Sequence, residues 1–136
     1  MTMMEINLEQ TILRNLLTND KYMRKVAAFL EPDYFEGVYK GLFKELTLFI
    51  AKYNKLPTME AFKIEVDQGD RLSDEVYRHG MEILPNIFEK KEENLDWLVD
   101  TSAKWCQEHA VYNAVIDSIT IIDGNHKELS HNAIPD

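Results

Sequence analysis

From Leu95 to Ile122 the chain contains neither proline nor glycine, and Asn94, just before this run, is a residue type that caps helices. The run can therefore form one helix of about 28 residues, roughly 42 Å long, which Gly124 and Asn125 are expected to terminate. Its composition constrains the fold further. Placed at 100° per residue, Ala110, Val111, Tyr112, Ala114, Val115, Ile116, Ile119, Ile121 and Ile122 cover an arc of roughly 240°. Only Asn113, Asp117 and Thr120 are left on a narrow polar strip. A helix docked on its own domain needs an apolar stripe little wider than about 100°, so a second face is expected to meet another helix or another subunit. Leu98, Trp105, Tyr112 and Ile119 also recur every seven residues, the spacing of helices packed lengthwise. The residues expected at such a contact are Trp105, Tyr112, Val115, Ile116, Ile119 and Ile122. A central helix buried within its own chain would account for the same arc, and that reading stays open here.

Helical periodicity dominates the rest of the chain as well, and strict alternation of apolar and polar residues over strand length is absent. The expected fold class is all-α: a compact head of about five short helices over residues 1–93, followed by a segment, residues 94–136, that begins with one long helix. Asn7 with Gln10 resembles a capping box, which places the first helix over Leu8 to Thr18. A second helix starts near Asp20, directs Tyr22, Met23, Val26 and Phe29 inward, and stops before Pro32. Val38, Leu42, Phe43, Leu46, Phe49, Ile50 and Tyr53 form the face of a third, closed by Pro57. Thr58 and Ser73 are placed to cap a fourth and a fifth, with Gly69 in the turn between them and Pro85 ending or kinking the last. The run from Glu89 to Asn94 has no apolar residue and reads as a solvated connection.

Composition narrows the function. The formal net charge of -9 disfavours a general grip on phosphate backbones. The single cysteine, Cys106, cannot form an intramolecular disulfide, and no apolar run approaches the roughly 20 residues that span a bilayer. A cytoplasmic location without membrane contact is expected, the host cytoplasm if the gene belongs to a phage. The sequence has no GxxxxGK[ST], GxGxxG, HExxH or CxxC motif, so no catalytic residue, cofactor site or metal site is assigned. Cys106 and His109 lie three apart and could touch, but packing is the stronger reading. Asp33 beside Tyr34 and Phe35 reads as a helix cap rather than as an acid in an apolar pocket. The aromatic series Tyr34, Phe35, Tyr39, Phe43, Phe49 and Tyr53 has the spacing of core rather than of a base-stacking platform, and Lys40, Lys44 and Lys52 read as a solvated face.

Four stretches, taken in order, resemble the amino-terminal domain of DnaB-type replicative helicases, most closely that of the primase-helicases of tailed phages. They are LEQTILRNLL (Leu8 to Leu17), EPDYFEGVYKGLFKEL (Glu31 to Leu46), NKLPTMEAFKIEV (Asn54 to Val66) and WLVDTSAKWCQEHAVYNAVIDSI (Trp97 to Ile119). In the third, Lys55 replaces a glycine usual in that family. In the fourth, Gln107, His109 and Ala110 stand in place of a common E-R-A or Q-R-A.

The resemblance implies a helical head plus a helical hairpin whose pairing between subunits builds a collar, with contacts to primase and a possible helicase loader. It implies a truncated start of a second hairpin helix at the end of this chain. ATP and Mg²⁺ would belong to an absent motor domain, a 5′-3′ helicase, and direct DNA binding by this part would be weak or absent. The competing expectation is a complete small phage adaptor or regulatory protein that binds a partner through its last helix.

Overall fold

A computed structural model describes residues 3–132, with side chains described for residues 8–119. Six α-helices follow one another: α1 (Met3–Thr18), α2 (Asp20–Val26), α3 (Gly37–Tyr53), α4 (Met59–Gly69), α5 (Asp74–Ile87) and α6 (Leu95–Asn132). Two 3-10 turns, Ala27–Phe29 and Pro32–Tyr34, join α2 to α3. There is no strand among the described residues. The all-α expectation, short helices followed by a long one, is met.

Helix α1 is central. Its Ile12, Leu13, Leu16 and Leu17 are buried, and it packs against α2, α3 and α5. Around it the core is filled by Tyr22 and Val26 of α2, Leu42 and Leu46 of α3, Phe62 and Val66 of α4, and Leu84 and Ile87 of α5. Helix termini are capped as their sequences dictate. The Asn19 side chain accepts from the Tyr22 N–H at 3.1 Å, Thr58 Oγ1 from Ala61 at 3.1 Å and Ser73 Oγ from Val76 at 3.3 Å. Buried charge is also used to join elements. Glu9 of α1 accepts from the Glu36 N–H at 3.0 Å, and Arg14 donates to the Asn86 carbonyl at 3.1 and 3.3 Å. A cation there meets the negative end of α5, where the last carbonyls lack helical partners. Between α3 and the α4–α5 turn, the buried Glu45 carboxylate takes both Arg71 Nε, at 2.8 Å, and Nη2, at 3.0 Å.

Helices α3 and α5 approach closely because Gly41 has no side chain. A Cβ there would lie 2.9 Å from Val76 Cγ1 and 3.1 Å from Leu72 Cδ2. Gly37 opens α3 at φ +55°, a conformation that favours glycine.

Several expected boundaries shift. Helix α1 begins at Met3, so Asn7 lies inside it and is not a cap; the preceding Met and Glu residues are strong helix formers that extend the helix backwards. Phe29, expected inward, is 38% exposed, because the backbone changes to a 3-10 turn at Ala27 and rotates it off the α2 face. Asp70, not Gly69, takes the left-handed position after α4, at φ 50°. Helix α5 passes Pro85 by two residues, and α6 runs through Gly124 and Asn125 to Asn132. One glycine inside a helix costs only about 1 kcal/mol relative to alanine, which the helix formers Lys127, Glu128 and Leu129 help to offset.

Candidate interaction surface

Helix α6 starts from a capped end, with the Asn94 side chain accepting from the Trp97 N–H at 2.9 Å. Its first three turns lie on α2 and on the second 3-10 turn. Leu98, Ser102, Trp105 and Cys106 are buried there, and the Ser102 hydroxyl shares a short hydrogen bond with Tyr22. The Trp105 ring stands 5.0 Å from that of Phe35 and meets Tyr34 edge-on at 6.2 Å. Farther along, the Asn113 side chain donates to the Asp33 carbonyl at 3.0 Å.

Around and beyond that bond the helix leaves the head, and large apolar side chains face solvent. Val111 is 65% exposed, Tyr112 62%, Val115 52%, Ile116 42% and Ile119 52%. At 100° per residue they share an arc of about 140° on α6. Val111, Tyr112 and Val115, with Gln107 and Glu108, line a shallow open depression.

Of the residues expected at a contact, Tyr112, Val115, Ile116 and Ile119 lie together on this exposed face. Trp105 does not: it is 3% exposed and belongs to the core of its own chain. The seven-residue period aligned it with Tyr112 but carried no information on where the head ends. The side chain of Ile122 lies outside the described residues. Val111 belongs to the face although it was not singled out, and its place in the apolar arc was the available signal. Trp97, 51% exposed near the start of α6, was not anticipated.

The other candidates resolve into structure. Burial, with a smaller contribution from Glu31, pushes the Cys106 thiol from its ordinary 9.0 up to about 11, the opposite of what a nucleophile needs. The His109 ring packs at a tilt against Trp105, with centroids 4.6 Å apart. Lys40 pairs with Asp33 at 3.0 Å. Phe35 and Phe43 stack at 4.7 Å in the core, whereas Tyr53, expected on the buried face of α3, is 44% exposed and donates to Glu65 at 3.0 Å. A cavity of about 370 Å³ between α3 and α4 is lined by Phe49, Phe62, Lys52, Glu65, Glu45 and Arg71. Its cations are engaged by its own carboxylates, Lys52 with Glu65 at 3.9 Å and Arg71 with Glu45. Among the described residues no group of three His, Cys, Asp or Glu is placed to hold a metal ion, and no helix is long and apolar enough to cross a membrane.

No family model matches the chain. It is 26% identical over 113 residues to a DnaB-like replicative helicase of Enterobacteria phage T4, a match covering 82% of this chain. The chain spans 23% of the length of that relative.

Proposed function

We propose that this chain is a non-catalytic collar and interaction domain of a replicative DNA helicase, supporting hexamer assembly and primase contact during DNA replication. The observation that carries the reading is the row of five apolar side chains, Val111, Tyr112, Val115, Ile116 and Ile119, that α6 holds in solvent at the edge of the head and beyond it. Water-exposed apolar surface of this continuity is disfavoured unless a partner covers it. The similarity to a phage replicative helicase supports replication as the setting. In this role the parent protein would supply ATP, Mg²⁺ and unwinding from a motor elsewhere, and a helicase loader is a further candidate partner.

The pairing is expected to be weak. Five partly exposed side chains fall short of the ~800 Å² per partner of a standard interface, so micromolar or weaker self-association is expected. Sedimentation equilibrium over a wide concentration range tests this, alongside Val115→Asp, which puts an unpaired carboxylate into the contact. The variant should keep the wild-type circular dichroism and melting temperature while its association falls. A wild-type chain that stays monomeric at high concentration contradicts the collar role, and an unfolded Val115→Asp would assign Val115 to the internal core. Primase recognition is read separately, by titrating primase from the same replication system into the labelled chain.

A further inference from the structure

Along its outer side α6 carries Trp97, Thr101, Lys104, Glu108, Val111 and Val115, separated by four, three, four, three and four residues. This is the spacing at which two lengthwise-packed helices meet, and here it is apolar at Trp97, Val111 and Val115 and charged at Lys104 and Glu108. The six positions fall within an arc of about 80°, and the buried set Leu98, Ser102, Trp105 and Cys106 lies about 125° around the helix from them. Trp97 is 51% exposed, Val111 65% and Val115 52%, and Lys104 and Glu108 are exposed. Neither charge has an ion-pair partner among the described residues.

We propose that α6 pairs with α6 of a second copy in antiparallel sense, about a two-fold axis at residue 106, so that Lys104 of each copy meets Glu108 of the other. This rests on the reading that α6 pairs between copies and adds its direction and register. Residues equidistant from the axis face each other: Lys104 and Glu108 at two residues, Thr101 and Val111 at five, Trp97 and Val115 at nine. The seam then has two charge-paired layers at its centre and apolar contacts at both ends, over about 27 Å.

Charge complementarity selects this arrangement. Parallel pairing would set Lys104 on Lys104 and Glu108 on Glu108, like charge on like. Sliding the antiparallel pair outward by one heptad would set Lys104 against Val115 and Glu108 against Val111, leaving both charges desolvated without partners. Polar seam positions fix register and orientation at a cost in stability, consistent with a contact formed only at high subunit concentration. The register also adds one exposed Trp97 from each copy, and a tryptophan buries on the order of 150–250 Å².

Sedimentation equilibrium of the wild-type chain, Lys104→Glu, Glu108→Lys and the double reversal tests the register. Each single reversal should weaken association at least about tenfold, because it opposes like charges twice across the axis, and the double reversal should restore it. In parallel pairing neither would matter, since like already faces like. Trp97→Cys and Val115→Cys chains, mixed under mild oxidation, should give the mixed disulfide dimer, and Trp97→Cys alone should give none. A wild-type chain that associates while ignoring the reversals overturns the register and leaves pairing through α6 standing. A wild-type chain that never associates overturns both.

Discussion

The two halves of α6 are built from the same kinds of residue at the same spacing and meet opposite fates. Leu98 and Trp105 are 1% and 3% exposed; Tyr112 and Ile119, continuing the same seven-residue line, are 62% and 52% exposed. The first half is held by α2 and a 3-10 turn, whereas the second extends past the bond from Asn113 to the Asp33 carbonyl. Periodicity states which side of a helix needs a partner. Whether that partner is the same chain depends on where the head ends, which is set by segments 60 to 90 residues earlier in the sequence.

The contrast can be broken by truncating one residue on each side of it. Trp105→Ala should lower stability by about 3–5 kcal/mol, the usual cost of emptying a buried aromatic site, and Tyr112→Ala in the dilute chain by no more than about 0.5 kcal/mol. Denaturant titration of both decides it, and equal losses would mean that the outer half is packed after all. A sharper version probes the fastening of the inner half. Tyr22→Phe leaves Ser102 without its buried partner and should cost about 1–3 kcal/mol, while the double change Tyr22→Phe, Ser102→Ala should recover part of that loss. Additive losses in the thermal melts would show that the hydroxyl pair contributes nothing of its own.

The smallest effect is a pH dependence confined to the inner half. Because the Cys106 thiol ionises near 9.0 when unfolded and only at about 11 when folded, the unfolded chain loses this proton first. The contribution is fully present below pH 9 and is lost as pH rises towards 11, so melting temperature should fall more steeply over that range in the wild type than in Cys106→Ala. Parallel slopes for the two proteins would remove Cys106 from the alkaline response.

Much of this is legible in the sequence. Thr58, Ser73 and Asn94 cap the helices they precede, since a short oxygen-bearing side chain next to a periodic apolar run has one favourable use. The width of the apolar arc and the seven-residue repeat together put Tyr112, Val115, Ile116 and Ile119 on one side of α6, and all four are exposed there. What failed needed tertiary information. Phe29 has the spacing of a core residue, but the turn at Ala27 moves it outward. The Arg71 hold on Glu45 joins residues 26 apart, which no local pattern announces. Trp97, between Asp96 and the buried Leu98, lies off the seven-residue line of Leu98 and Trp105, so the period carries no signal of its exposed position.

Beside the packing of Leu98, Trp105 and Cys106, two side-chain hydrogen bonds tie α6 to the head: the Ser102 hydroxyl on Tyr22, and Asn113 on the Asp33 carbonyl. They are about 16 Å apart along the axis, and the far end at Asn132 is about 45 Å from the first. Pivoting at Ser102, a displacement of 1 Å at the Asn113 bond is multiplied roughly threefold at the tip. The helix is thus a lever with a short arm inside the head and a long arm outside it. Repacking around a single tyrosine hydroxyl or one turn carbonyl re-aims whatever the long arm carries, and Asn113→Ala would loosen the aim without touching the surface being aimed.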